Sequence, residues 1–142
     1  MPIISILQPM RDAPDFALPL FLDRCPAGFP SPAGDWIEKE LDLNEYCIRR
    51  KSATFYVRAL GDSMTEAGLQ SGDLLVVDRA ETPVHGDIVI AEMDGEFTVK
   101  RLSLRPRLAL EAMNSSYPTI YPDPDTLEIF GVVMHFIHST RR

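Results

Sequence analysis

A mostly β domain of short strands, closing part of the way into a barrel and preceded by an extended arm, is what the sequence predicts. Three observations carry that expectation. Short apolar or alternating runs recur between turn residues from Thr54 to Ile137, the pattern of an all-β domain with little helix. Asp94-Gly95 stands between two such runs and is a strong signal for a two-residue hairpin. Seven of the twelve prolines fall in the first 32 residues, where each removes a backbone donor and restrains the residue before it.

Taken in order, residues 1–27 read as the extended arm and residues 28–142 as the core domain. Leu18, Leu20, Phe21 and Leu22 give the arm apolar surface with which to dock, while its prolines leave it able to come away. Ser31-Pro32 has the form of an N-cap followed by proline at the first helical position, so a short helix is expected through about Tyr46, with Trp36, Ile37, Leu41 and Leu43 available for packing. Ser52 to Ala59 is expected to be the first strand, with Phe55 and Val57 toward the core. Met64 to Leu69 reads as one helical turn ending near Gly68. Leu74 to Asp78 is a continuous apolar run closed by an acid, expected to be a buried strand, and Pro83 to Gly86 a turn. The hairpin joins Gly86–Ala91 to Glu96–Lys100. Period-two alternation puts Phe97 and Val99 on one face and Thr98, Lys100 and Leu102 on the other. Leu108–Met113 and Leu127–Ile137 complete the strands, with Pro118, Pro122 and Pro124 confining the stretch between them to loop.

The chain has 142 residues, 45% hydrophobic and 25% charged, enough for one domain with a real core. Its net charge of −7 disfavours a direct grip on nucleic-acid phosphates, which needs clustered lysine and arginine. Arg105, Arg107, Arg141 and Arg142 read as a solvated rim. Two cysteines, Cys25 and Cys47, make no disulfide framework and fit a reducing cytoplasm. His135 and His138 lie three apart on an expected strand and so point to opposite faces; neither they nor the cysteines have metal-ligand spacing, and no metal or cofactor is expected. The first ten residues lack a basic leader, and no apolar run approaches the length that spans a bilayer, so a cytoplasmic protein without a membrane anchor is expected.

The stretch with the most chemistry is Gly61-Asp62-Ser63-Met64, a serine set in a turn just past a strand. A hydroxyl needs a base to become a nucleophile. Lys100 can be that base where its apolar and small neighbours disfavour the ammonium. Read from spacing alone, the same two residues are a turn serine and an exposed strand lysine. A serine–histidine–aspartate arrangement using His85 is a second reading. The amides of Asp62 and Ser63, at the start of the helical turn, are candidates to hold an oxyanion, with a simple capping role for Asp62 as the other reading. Within the arm, Ala27-Gly28 joins two small residues in extended context. It is either a linker kink or a bond that a recessed nucleophile can reach, and Pro26 before it holds Cys25 extended.

Several blocks, in this order and spacing, resemble the LexA/UmuD family of self-cleaving serine peptidases, and its UmuD-like members above all. They are Ala27-Gly28-Phe29-Pro30-Ser31-Pro32-Ala33, Gly61-Asp62-Ser63-Met64, Ser71-Gly72-Asp73-Leu74-Leu75-Val76-Val77-Asp78, His85-Gly86-Asp87-Ile88-Val89-Ile90-Ala91, Asp94-Gly95-Glu96-Phe97-Thr98-Val99-Lys100, Met113-Asn114-Ser115 and Phe130-Gly131-Val132-Val133. The resemblance covers nearly the whole chain. It implies the family's mostly β peptidase domain, Ser63 as nucleophile, Lys100 as its base, and the Ala27-Gly28 bond as the chain's own substrate. It also implies a homodimer acting in the SOS response to DNA damage, with cleavage stimulated by a RecA filament. The shortened form would serve a UmuC-like Y-family polymerase subunit in error-prone translesion synthesis. Repressors of the family carry a DNA-binding domain ahead of the cleavage site; the arm here is too short and too rich in proline for one. A non-catalytic polymerase-binding module and a peptidase acting in trans are the competing functions.

Overall fold

The computed structural model describes residues 1–10, 12–21 and 37–141. Nine strands are found among them: β1 (Ile3–Leu7), β2 (Ala17–Phe21), β3 (Ile37–Asp42), β4 (Thr54–Ala59), β5 (Leu74–Asp78), β6 (Ile88–Met93), β7 (Glu96–Ser103), β8 (Ala109–Glu111) and β9 (Glu128–Ile137). A five-residue helix, α1 (Leu43–Cys47), follows β3 directly. Seven strands form one sheet in the order β1-β4-β5-β9-β6-β7-β8, and β2 pairs with β3 in a separate ribbon. Every neighbouring pair is antiparallel.

The large sheet curls, as expected, without closing. Two irregularities bend it at β9, where the register shifts between Val76 and Val77 against β5 and between Ile90 and Ala91 against β6. Such bulges sharpen the local twist. Gly131 lets β9 approach β5 closely: a Cβ there would lie 2.6 Å from Val77 Cγ1 and 3.0 Å from the Asp78 carbonyl oxygen. The curl brings β1 across to β7, where an isolated bridge joins Pro2 to Thr98. Inside the curl lies the main apolar cluster, with Val57, Met64, Leu69, Leu75, Ile90 and Val99 fully buried. A second cluster around Val89, Leu102 and Leu110 fills the other face.

The hairpin between β6 and β7 turns at Asp94 and Gly95, both at positive φ (52° and 81°), the conformation that a two-residue primed turn requires. Val57 is buried and Phe55 packs against the main cluster, in T-shaped contact with Phe130, so the inward face of β4 is as expected. Arg79 lies over the Phe130 ring at 4.4 Å and donates to the Phe130 carbonyl at 3.0 Å, sealing one end of that cluster.

Two expectations need correction. The helix anticipated through Tyr46 is, over its described part, the strand β3 followed by the single turn α1. Leu41 and Glu40 lie opposite Leu18 and Pro19 of β2, so backbone pairing with the arm overrides a local pattern that suited a helix. The cap of α1 is Asp42, whose carboxylate accepts from the Asn44 and Phe16 amides, both at 2.9 Å. Ser31 and Pro32, read as the cap, lie outside the described residues. The start of the arm is also more than a dockable extension, because β1 is a strand of the large sheet.

Candidate active site

Ser63 sits where the chain leaves β4 and turns into the core. Gly61 makes the turn possible at φ 108°, and its amide donates to Ser71 Oγ at 3.0 Å. Residues Thr65–Ala67 then form one 3-10 turn that ends at Gly68 in the left-handed conformation, close to the helical turn the sequence indicated. Met64, fully buried, anchors the turn from inside. Ser63 is itself only 3% exposed, and its Oγ has no hydrogen-bond partner among the described residues. A buried hydroxyl left unsatisfied costs free energy, and such groups gather at sites that do chemistry. The turn's own hydrogen bonds use the Asp62 carbonyl, which accepts from the Thr65 amide.

The loop after β8 clamps this turn from outside. The Met113 carbonyl accepts from the Glu66 amide at 2.7 Å, and Asn114 Nδ2 donates to the Asp62 carbonyl at 2.9 Å. The Tyr117 hydroxyl donates to Asp62 Oδ1. Its phenol is pushed up by that carboxylate, first through the hydrogen bond and then through its charge. The Tyr117 ring in turn has Lys100 Nζ 5.9 Å from its centroid.

Lys100 lies on β7 opposite Val89 of β6. It is 7% exposed and has no carboxylate partner among the described residues. Burial lowers its pKa from the ordinary 10.5, and a hydrogen bond with the Met1 amino group works the other way. Two amines so placed cannot both be ammonium at low cost. The Met1 amine falls from 8.0 to about 5, first through burial and then through the Lys100 charge and hydrogen bond. That amine also donates to Thr98 Oγ1 at 2.9 Å. Tyr117 and Met1 thus link the two candidates: Tyr117 reaches Asp62 and Lys100, while Met1 touches Lys100 and packs in one cluster with Met64.

The other candidates fall elsewhere. His85 Nδ1 accepts from the Leu104 amide at 2.9 Å, and Ser63 Oγ meets no histidine, so a serine–histidine–aspartate triad is absent among the described residues. The histidine that does meet an aspartate is His138, 2.6 Å from the buried carboxylate of Asp73. The His135 ring lies 5.4 Å from that of Tyr46, tilted by 45°. Among the described residues, no group of three or more His, Cys, Asp or Glu is placed to hold a metal ion, and no helix is long and apolar enough to cross a membrane. Cys47 is a free, half-buried thiol. Ala27 and Gly28 lie outside the described residues.

Sequence reasoning missed Asn114, Tyr117, Thr98 and Met1. Asn114 stood in a block that carried the resemblance, and an amide side chain in a loop just after a strand is a sequence signal for holding a neighbouring turn. Nothing local marks Met1 as a core residue.

A mostly β domain that buries an unpartnered serine hydroxyl on one turn and a desolvated lysine on a separate strand, with Tyr117 reaching from the aspartate before the serine to the lysine, carries groups that a serine peptidase uses, and comparison with known proteins points to that class. The sequence model of the peptidase S24-like family matches residues 19–134. Protein SamA of Salmonella typhimurium is 63% identical over 139 residues, 98% of both chains. Protein ImpA of Escherichia coli is 66% identical over 128 residues, covering 89% of this chain and 87% of its own. Protein MucA of Escherichia coli is 51% identical over 121 residues, 84% of this chain and 83% of its own. The chain belongs to the peptidase S24-like family, on the UmuD-like branch of its LexA/UmuD members.

Proposed function

We propose that this protein cleaves itself once, through Ser63 and Lys100, at the Ala27-Gly28 bond, and acts in SOS mutagenesis in its shortened form. The observation that carries the reading is Ser63 Oγ, buried and without a partner, in a turn clamped by a loop whose Tyr117 also has Lys100, a lysine whose ammonium is disfavoured, 5.9 Å from its ring. Lys100 Nζ takes the Ser63 proton, and Oγ attacks the Ala27 carbonyl carbon. The amides of Asp62 and Ser63 hold the resulting oxyanion, a contribution worth a hundredfold or more in rate for one such donor. As the tetrahedral adduct collapses, the C–N bond to Gly28 breaks and the leaving amine takes the proton from Lys100. Water, deprotonated in turn by Lys100, hydrolyses the ester on Ser63 and frees residues 1–27. A weak catalyst suffices because its substrate is tethered.

The wider role follows the family. A RecA filament would stimulate the reaction, and the product, residues 28–142 as a homodimer, would bind a UmuC-like polymerase subunit for translesion synthesis in the cytoplasm. Incubating the purified chain and sequencing the amino terminus of the product tests the chemistry. A first-order, concentration-independent conversion to a species beginning at Gly28, absent in Ser63→Ala and Lys100→Ala, is expected. Cleavage only in trans would favour an ordinary peptidase. A chain that stays whole even with a RecA filament would favour a non-catalytic polymerase-binding module.

A further inference from the structure

Two strands of the large sheet do not pair with each other, β4, which leads into the Ser63 turn, and β7, which carries Lys100, yet Val57 and Ala59 of the first share the main apolar cluster with Val99 of the second. β8 pairs with β7 only from Arg101 to Ser103, so the edge of β7 at Thr98 and Val99 is open to another strand. The amino-terminal segment fills this slot. The Leu60 amide donates to the Pro2 carbonyl at 2.8 Å and the Val99 amide to the Met1 carbonyl at 3.0 Å. Ile3 lies opposite Ala59, and Ser5 to Leu7 continue along β4. The Met1 side chain is 3% exposed and packs with Val57, Ala59, Met64 and Val99. A carbonyl taken from each side and an apolar socket for the side chain are the parts of a site that binds a peptide by strand addition.

We propose that the slot between β4 and β7 is a binding site for an extended peptide, and that in the intact chain its occupant is the segment Met1–Leu7, which holds the Ser63–Lys100 pair latent. This rests on the serine–lysine reading of the site and names its regulation. Two otherwise unconnected features follow from it. Ser63 Oγ is without a partner among the described residues while the Met1 carbonyl is held by the Val99 amide, one residue before Lys100. Met1, for its part, buries an amino group, a costly act at the end of a strand that main-chain pairing alone would hold. In this arrangement a neutral Met1 amine accepts a hydrogen bond from the Lys100 ammonium, which keeps on Lys100 the proton it must lose before it can act on Ser63. Withdrawal of the strand frees the lysine, the two amides and the socket together.

The test compares the intact chain with two variants. One carries Gly-Gly-Ser ahead of Met1, which leaves the core sequence untouched but removes the free amine from Thr98 and Lys100. The other is Thr98→Val, which deletes the oxygen that accepts from that amine. Two rates are read: self-cleavage, and labelling of Ser63 by a small fluorophosphonate, in which Oγ bonds to phosphorus and fluoride leaves. Hydrogen exchange at the Leu60 and Val99 amides follows release of the strand. Both rates are expected to rise about tenfold in the extended chain, the equivalent of losing roughly 1.4 kcal/mol of holding free energy, with a smaller rise in Thr98→Val and faster exchange at both amides. Equal or slower labelling in the variants, with or without faster exchange, overturns the proposal. If no form cleaves itself, the self-cleavage reading falls, and the labelling rates still decide whether Met1–Leu7 obstructs the site.

Discussion

Asn114 offers the sharpest separation of catalysis from stability. Its Nδ2 donates to the Asp62 carbonyl at 2.9 Å, one residue before Ser63, while the neighbouring Met113 carbonyl takes the Glu66 amide. Asn114→Asp keeps the shape of the side chain, removes the donor and turns an acceptor toward a carbonyl. A single neutral hydrogen bond contributes about 1 kcal/mol net, which for a domain of this size lowers the melting temperature by roughly 3–5 °C. Against a total stability of about 5–15 kcal/mol, that leaves the folded population essentially unchanged. The effect on chemistry is of another order, because displacing a reacting group by about 1 Å can cost on the order of 100-fold in rate. Self-cleavage of the purified variant, followed by mass spectrometry well below its melting temperature, should therefore slow by about 10- to 100-fold, while its thermal transition moves only a few degrees. A variant that melts a few degrees lower and still cleaves at the parental rate would refute the view that this loop positions the nucleophile.

Two further predictions concern the frame around the site. Gly131→Ala forces a Cβ to within 2.6 Å of Val77 Cγ1 and 3.0 Å of a backbone oxygen, so overpacking should cost about 1–3 kcal/mol; chemical denaturation should show it, with cleavage at low temperature preserved. Lys100→Met removes a buried ammonium. Because burial depresses the folded-state pKa of Lys100 below 10.5, the folded chain binds this proton less tightly than the unfolded one. The variant should accordingly be more stable than the parent at neutral pH, with the gain shrinking as pH rises toward 10.5; a gain that grew with pH would have the wrong sign.

How much of this was legible in the sequence depends on whether the signal was local. The hairpin at Asp94-Gly95, the apolar run of β5 and the alternation along β7 follow from period-two patterning and turn chemistry, and those elements formed close to where they were expected. β3 did not, because the spacing of Ile37 and Leu41 suits a helix as well as a strand, and the deciding partner, β2, lies far back in the chain. β1 was obscured by its flanking prolines, Pro2 and Pro9, which are tolerated at the ends of an edge strand. At the site, Ser63 and Lys100 stood out for their chemistry. Asn114 and Tyr117 act on the backbone and carboxylate of Asp62 across more than fifty residues, and Met1 reaches Lys100 across almost a hundred. Contacts of that range leave no pattern in a single sequence.

The dependence of self-cleavage rate on pH, measured on the intact chain, bears most directly on whether Lys100 acts on Ser63 as a free amine. The rate should climb from neutral pH, level off before pH 10.5 because burial lowers the lysine's pKa, and vanish at every pH in Lys100→Ala and Ser63→Ala. A rate independent of pH, or cleavage that survives in either variant, would contradict the account.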